Sequence, residues 1–297
     1  MEKLNNFEPS SRFNPLNDFL FLKVMGEKGD EKQLLGFLNA VLGNSGKEPI
    51  KSVDIIENKS FAAEIINGKS CILDVRAVLE DGTRVNIEIQ LRNEHNIDRR
   101  SLFYWSKMYS DTIKEGQDYR ELPNVIAINI VDFDFPPGSN VHTCFHLRED
   151  TNQSLILSAA LEIHFINMVK WGRQDSKDIV NDALHRWLTW FDTSSPPELV
   201  EEVLRMDSAI MAANKRQDCV TQDEEDRDLY WRRQMAIMDY NSGINGARRE
   251  GEAIGRSEGR EEEKLEIARN LLAESAAYEF VQRITGLDLE TIKRLNN

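Results

Sequence analysis

Three side chains able to bind a cation or move a proton fall close together in residues 69–92, KSCILDVRAVLEDGTRVNIEIQLR. In the first run Cys71, Leu73, Val75, Ala77 and Leu79 alternate with Ile72, Asp74, Arg76 and Val78; in the second Val85, Ile87, Ile89 and Leu91 alternate with Asn86, Glu88, Gln90 and Arg92. Alternation with a period of two marks a strand buried on one side. Asp74 and Glu88, if they meet across such a pair about 5 Å apart, repel each other. A divalent cation resolves that conflict, and Mg²⁺ takes one or two carboxylates together with waters and substrate phosphate oxygens. The plainer alternative is a solvated sheet face on which Arg76 and Arg92 neutralise the acids, and spacing alone leaves both readings open.

The turn between the runs decides which residues meet. A two-residue Asp81-Gly82 loop pairs Glu80 with Thr83 and therefore Asp74 with Ile89, opposing polar to apolar along the whole hairpin. A three-residue Glu80-Asp81-Gly82 loop, with Gly82 left-handed in a bulge, pairs Leu79 with Thr83 and Asp74 with Glu88. Only the second register gives both strands the same buried face.

The elements that must hold this hairpin follow from the same patterns. Pro15 suits the first turn of a helix through PLNDFLFLKVMG, which carries Asp18 and ends at Gly26. Without further information Asp18 reads as an early acid favouring the helix dipole. Asp30 is the expected cap of a second helix whose Leu34, Leu35, Leu38 and Leu42 form a core stripe. Residues 53–66 read as a strand or hairpin, with Glu64 a weaker metal candidate. A helix through DRRSLFYWSKMYSDTIKEG sets Arg100, Tyr104, Lys107 and Asp111 on one face and Leu102, Trp105, Met108 and Tyr109 mainly on the other. The first set could face phosphate, which makes Arg100, Tyr104 and Lys107 the expected DNA contacts; an ordinary solvated face is the alternative. His95 reads as a surface loop residue.

Residues 123–133, PNVIAINIVDF, are almost wholly apolar, as in a strand covered on both faces at the centre of a sheet. Residues 141–147 and 161–168 read as further strands, and their His146 and His164 lack the spacing of a metal pair. The pattern turns helical from about residue 175, with Trp187, Trp190 and Phe191 as core anchors; an aromatic platform for bases is the less favoured use. The tail repeats Gly243, Ala247, Gly251, Gly255 and Gly259 every fourth residue. As a helix this costs roughly 1 kcal/mol per glycine relative to alanine, which close packing of a second helix would offset; a flexible linker is the alternative. The last residues break at Gly286-Leu287 between two short helical pieces, as in a helix-turn-helix or an assembly cap.

The blocks Asn14-Pro15-Leu16-Asn17-Asp18-Phe19-Leu20-Phe21, LDVRAVLEDGTRVNIEIQLR, RRSLFYWSKMYSDTIKEG and LPNVIAINIVDFDF resemble the bacterial PD-(D/E)XK nuclease family transposases, also called recombination-promoting nucleases. The resemblance implies an α/β fold with a restriction-endonuclease-like mixed sheet core and flanking helices over residues 14–170. A flexible start at 1–13, a helical region at 171–242 and the Gly-periodic tail at 243–297 complete the expected organisation. It implies a metal-dependent DNA endonuclease serving recombination, transposition-like processing or phage defence. Asp74 and Glu88 would hold Mg²⁺ or Mn²⁺, Asp18 would be a further ligand, and Gln90 would orient the attacking water. The broad superfamily has Lys where this chain has Gln90, and the closer family has Gln. An inactive nuclease fold acting as an oligomeric DNA-binding or regulatory subunit is the alternative.

Composition is consistent with that outline. The 297 residues, 40% hydrophobic, can bury a large core. No long apolar run or apolar leader is present, so a cytoplasmic protein without membrane contact is expected. Three cysteines, Cys71, Cys144 and Cys219, are too few for a disulfide frame and too scattered for a zinc knuckle, with Cys71 read as a small core residue. A net charge of −14 argues against a protein that coats nucleic acid nonspecifically. It leaves room for a nuclease with a local basic channel. Homo-oligomerisation through the tail helix is the expected assembly.

Overall fold

The computed structural model describes residues 12–43, 48–56, 75–113 and 115–296. Residues 1–11 of the expected flexible start, Glu64, Cys71 and Asp74 lie outside these residues, whereas Phe13 packs against the larger core.

The hairpin has the register that its apolar alternation requires. Strands β2 (Val75–Leu79) and β3 (Arg84–Gln90) pair antiparallel with Val75 opposite Ile87 and Ala77 opposite Val85. The Leu79 amide donates to the Thr83 carbonyl at 2.9 Å, and Gly82 has φ 84°, a conformation favouring glycine. Strand β1 (Val53–Ile55) pairs antiparallel with β2. Strand β4 (Val125–Val131), wholly buried, runs parallel to β3 and parallel to β6 (Leu161–Asn167), while β5 (His142–Phe145) closes the edge antiparallel to β6. The order is β1-β2-β3-β4-β6-β5, so the apolar 123–133 run does lie centrally.

Two apolar clusters sort the sheet into two faces. On the larger face Val75, Val85, Ile87, Ile126, Ile128 and Ile166 pack with helices α1 (Asp18–Met25) and α2 (Lys32–Leu42). The other face carries Ala127, Val131, Ile163 and Phe165, covered by Ile97 and Trp105 of α3 (Ile97–Ser110). After the short α4 (Met168–Gly172), helices α5 (Ala183–Phe191), α6 (Pro197–Met206) and α7 (Ser208–Gln222) join the larger core. Trp187, Trp190 and Phe191 are buried there, as their aromatic bulk demands. Helices α2 and α7 approach closely at Gly36, where an added Cβ would lie 2.3 Å from the Ala209 Cβ.

Several local expectations are corrected. The first helix begins at Asp18, because the Asn17 side chain accepts the Leu20 amide and so supplies the cap. Glu31 precedes α2, in place of the expected Asp30 cap. The continuous run PELVEEVLRMDSAIMAANK is split into α6 and α7 at Asp207, whose side chain caps α7 by accepting from Ala209 and Ile210. Leu102, assigned to the apolar side of α3, is half exposed, with Phe103 beside it.

Helix α8 (Glu224–Ala273) includes the glycine repeat, so that stretch is helical. Its first residues, to Arg233, belong to the unit that contains the sheet; residues 234–297 form the second unit. There Ala268, Val281, Leu287 and Ile292 make a small core between α8, α9 (Tyr278–Thr285) and α10 (Leu289–Leu295), with Gly286 left-handed at the break. Among the described residues no helix is long and apolar enough to cross a membrane.

Candidate functional site

Glu88 and Gln90 leave β3 on the face covered by α3, because their neighbours Ile87 and Val85 face the larger core. Glu88 is 2% exposed. Burying a carboxylate without a compensating charge is costly, and α3 supplies one: Arg100 Nε donates to Glu88 Oε1 at 2.8 Å, with Glu94 Oε2 at 3.4 Å from Arg100 Nη1. The guanidinium also lies over the Tyr104 ring, 5.6 Å from its centroid. Next along the helix, Ser101 Oγ donates to Asn129 Oδ1 at 2.9 Å, and Trp105 Nε1 donates to the Val125 carbonyl. Asn129 is the β4 residue beside Glu88 in the parallel register. Helix α3 is thus fastened to the sheet on either side of Glu88.

Gln90 is buried, and its Nε2 donates to the Arg92 carbonyl at 3.0 Å. Its Oε1 and the Asn86 Oδ1, two places along the same face, are buried acceptors without a hydrogen-bond partner among the described residues. A buried acceptor left over is a costly feature that commonly accompanies a bound group. The donor set is all oxygen, which suits a hard divalent cation and its hydration sphere.

The other site residues of the sequence reading are distributed differently. Asp18 accepts from Arg233, whose Nε lies 3.1 Å from Asp18 Oδ1, and its helix packs on the larger face, opposite Glu88. Arg100, expected as an outward phosphate contact, turns inward to Glu88, while Tyr104 is half-buried and Lys107 is exposed. The described register ends at Val75 opposite Ile87, one residue short of Asp74.

The family model for PD-(D/E)XK nuclease family transposases matches residues 15–247, most of the chain. The chain belongs to that family. The mixed sheet with its antiparallel hairpin, parallel neighbours and flanking helices is the restriction-endonuclease-like fold of the PD-(D/E)XK class, and the matched span contains every site residue considered above. Neither the curated proteins nor the solved structures compared with the chain gave a match.

Sequence reasoning missed a second polar cluster, on the opposite face at the β5 edge. His142, Cys144, His146, Glu162 and His164 come together there, although the spacing of His146 and His164 argued against a metal pair. The signal was present as alternation within two separate strands, His142-x-Cys144-x-His146 and Glu162-x-His164, and only their cross-strand register joins them. Burial, with His164 adding to it, pulls the His142 pKa down to about 4, so this ring is neutral at pH 7.

Proposed function

We propose that this family member is a Mg²⁺- or Mn²⁺-dependent DNA endonuclease in which Asp74 and Glu88 hold the ion and Gln90 orients the attacking water. The observation that supports the reading is the hairpin register, Val75 opposite Ile87; carried one residue further, beyond the described residues, the same register would set Asp74 against Glu88. Bound there, the ion would act as a Lewis acid on the scissile phosphate and acidify water for attack.

The chain's own residues supply the rest. The partnerless Gln90 Oε1 accepts an O–H from water and so fixes the direction of attack, but a neutral amide cannot stabilise the charge that gathers on phosphorus. Arg100 brings a cation to that place. Its guanidinium, 2.8 Å from Glu88 and itself partly exposed, can keep one donor on the carboxylate and offer another to phosphate. Lys107, exposed on the same helix, extends the positive surface for DNA, with Tyr104 beneath Arg100 holding its plane. Asp18 fits the metal set less well, because Arg233 already neutralises it.

The Arg100–Glu88 pair is also what favours the second reading, a catalytically weak nuclease fold that binds DNA as an oligomeric regulator, since a guanidinium already occupies the metal carboxylate. Cleavage of plasmid DNA decides between them. The nuclease reading expects nicking or linearisation with added Mg²⁺ or Mn²⁺, none in chelator, and loss in Asp74→Ala and Glu88→Ala with melting curves of folded protein. Asp18→Asn should cleave as wild type does. Cleavage by Asp74→Ala equal to wild type overturns the site, and DNA binding without metal-dependent cleavage by the wild type favours the regulator. The biological setting within this reading is cytoplasmic recombination, mobile-element processing or phage defence.

A further inference from the structure

The five side chains at the β5 edge take no part in the nuclease reading, and they form a donor set of a different chemistry. Residues 142, 144 and 146 alternate, so they share one side of the edge strand. Cys144 lies opposite His164 in the β5–β6 register, and Glu162 and His164 lie beside Ile126 and Ile128 of the larger-core face. All five therefore project to the side of the sheet away from Glu88.

The separations of the Cys144 sulfur from the two rings are those of metal ligands. Cys144 Sγ is 3.7 Å from His146 Nδ1 and 3.6 Å from His164 Nε2. A tetrahedral zinc with bonds of about 2.3 Å to sulfur and 2.05 Å to nitrogen requires a sulfur–nitrogen edge of about 3.6 Å. Glu162 faces the same two rings: its Oε2 lies 3.6 Å from the other His146 nitrogen, Nε2, and its Oε1 shares a 2.8 Å hydrogen bond with His164 Nε2. One ligand atom each from Cys144, His146 and Glu162 lies within 4.8 Å of the other two. Glu162 and His164 are buried, whereas Cys144 is exposed, so two ligands are held rigidly and an ion can enter from solvent.

We propose that Cys144, His146, Glu162 and His164 bind one Zn²⁺ as a structural clip between edge strand β5 and β6. A thiolate and a carboxylate with two neutral imidazoles carry two negative charges, which the ion balances. Thiolate and imidazole select a borderline-soft ion over Mg²⁺, so this centre and the all-oxygen set at Glu88 take different metals. His142 Nε2 lies 2.8 Å from His164 Nδ1. A ring whose Nε2 binds metal donates its Nδ1–H to such an acceptor, and metal-bound imidazoles are regularly oriented in this way. Binding frees the thiol proton of Cys144 and shifts the His164 ring proton to Nδ1, from which it faces His142. The clip would hold a four-residue edge strand whose outer side has no neighbouring strand among the described residues.

The test uses the full chain, stripped with chelator and dialysed, then loaded with Zn²⁺ for metal analysis and with Co²⁺ as a spectroscopic probe. One zinc per chain should survive dialysis, and Co²⁺ should give the intense thiolate charge-transfer band and the visible bands of a tetrahedral ion. The thiolate band should vanish in Cys144→Ser and persist in Cys219→Ser and in Glu88→Gln. His142→Phe should weaken zinc binding by about 10–100-fold while leaving the thiolate band intact. Zinc lost on dialysis of wild type, a Cys144→Ser variant with an unchanged band, or zinc lost in Glu88→Gln would each overturn the proposal. Because no arm reads DNA cleavage, its failure and that of the nuclease reading are distinguishable.

Discussion

Replacing Arg100 by Met removes the guanidinium from Glu88 while keeping the length of the side chain. Glu88 is 2% exposed at its side chain and Arg100 21%, so the carboxylate is the desolvated member and the guanidinium still touches water. Removing one partner of a fully buried pair costs about 3–5 kcal/mol, and the exposure of Arg100 puts this pair at the lower end, about 3 kcal/mol. For a domain of this size each kcal/mol moves Tm by about 2–4 °C, so Arg100→Met should melt about 6–12 °C below wild type in magnesium-free buffer. The double variant Glu88→Gln/Arg100→Met removes both charges and should regain most of that loss. Mg²⁺ should raise the Tm of Arg100→Met by more than it raises that of wild type, since the ion takes over the charge on Glu88. Differential scanning calorimetry on the three proteins, with and without Mg²⁺, reads all of this. If the double variant melts as low as Arg100→Met, charge compensation at Glu88 is not what holds α3 to the sheet, and the reasoning fails.

Two other substitutions test packing. Gly36→Ala should cost about 1–3 kcal/mol in chemical denaturation, because its Cβ would fall 2.3 Å from the Ala209 Cβ where α2 and α7 touch. On α8, a Cβ at Gly243, Gly251, Gly255 or Gly259 would meet nothing within 4 Å. If residues 243–276 pair with a second copy of the chain, the assembly expected from the glycine repeat, Gly255→Leu should lower the mass seen by light scattering; an unchanged mass, with a helix stabilised by roughly 1 kcal/mol in Gly255→Ala, removes the tail as the assembly element.

What the sequence made legible followed from period. The hairpin register could be read because polar and apolar residues alternate on both sides of Gly82, and a slip by one residue would have turned Arg76 into the core. The central position of β4 could be read from seven successive apolar or neutral residues. The partner of Glu88 could not. Helical spacing groups Arg100 with Tyr104 and Lys107, but it does not say which side of α3 meets the sheet. Ser101 and Trp105 decide that by bonding to β4. Leu102 misled for the same reason, since its place in the apolar spacing did not say that the sheet lies on that side. The Cys144–Glu162 cluster was illegible because its two halves are 16–22 residues apart and meet only through the register of two strands.

The chain order of these elements also sets a sequence in time. Glu88 and Arg100 are 12 residues apart, so the pair belongs to one short stretch that can form while the rest is still being made. Its surroundings come later: Asn129 reaches Ser101 across 28 residues, and the carbonyl that receives Asn129 belongs to His164, a further 35 residues on. Until β4 and β6 have joined β3, Glu88 and Gln90 lack the strands beside which they are buried in the folded chain. On the nuclease reading, the groups of the site are therefore synthesised before the strands that enclose them, and cleavage competence would come only once β6 has joined the sheet.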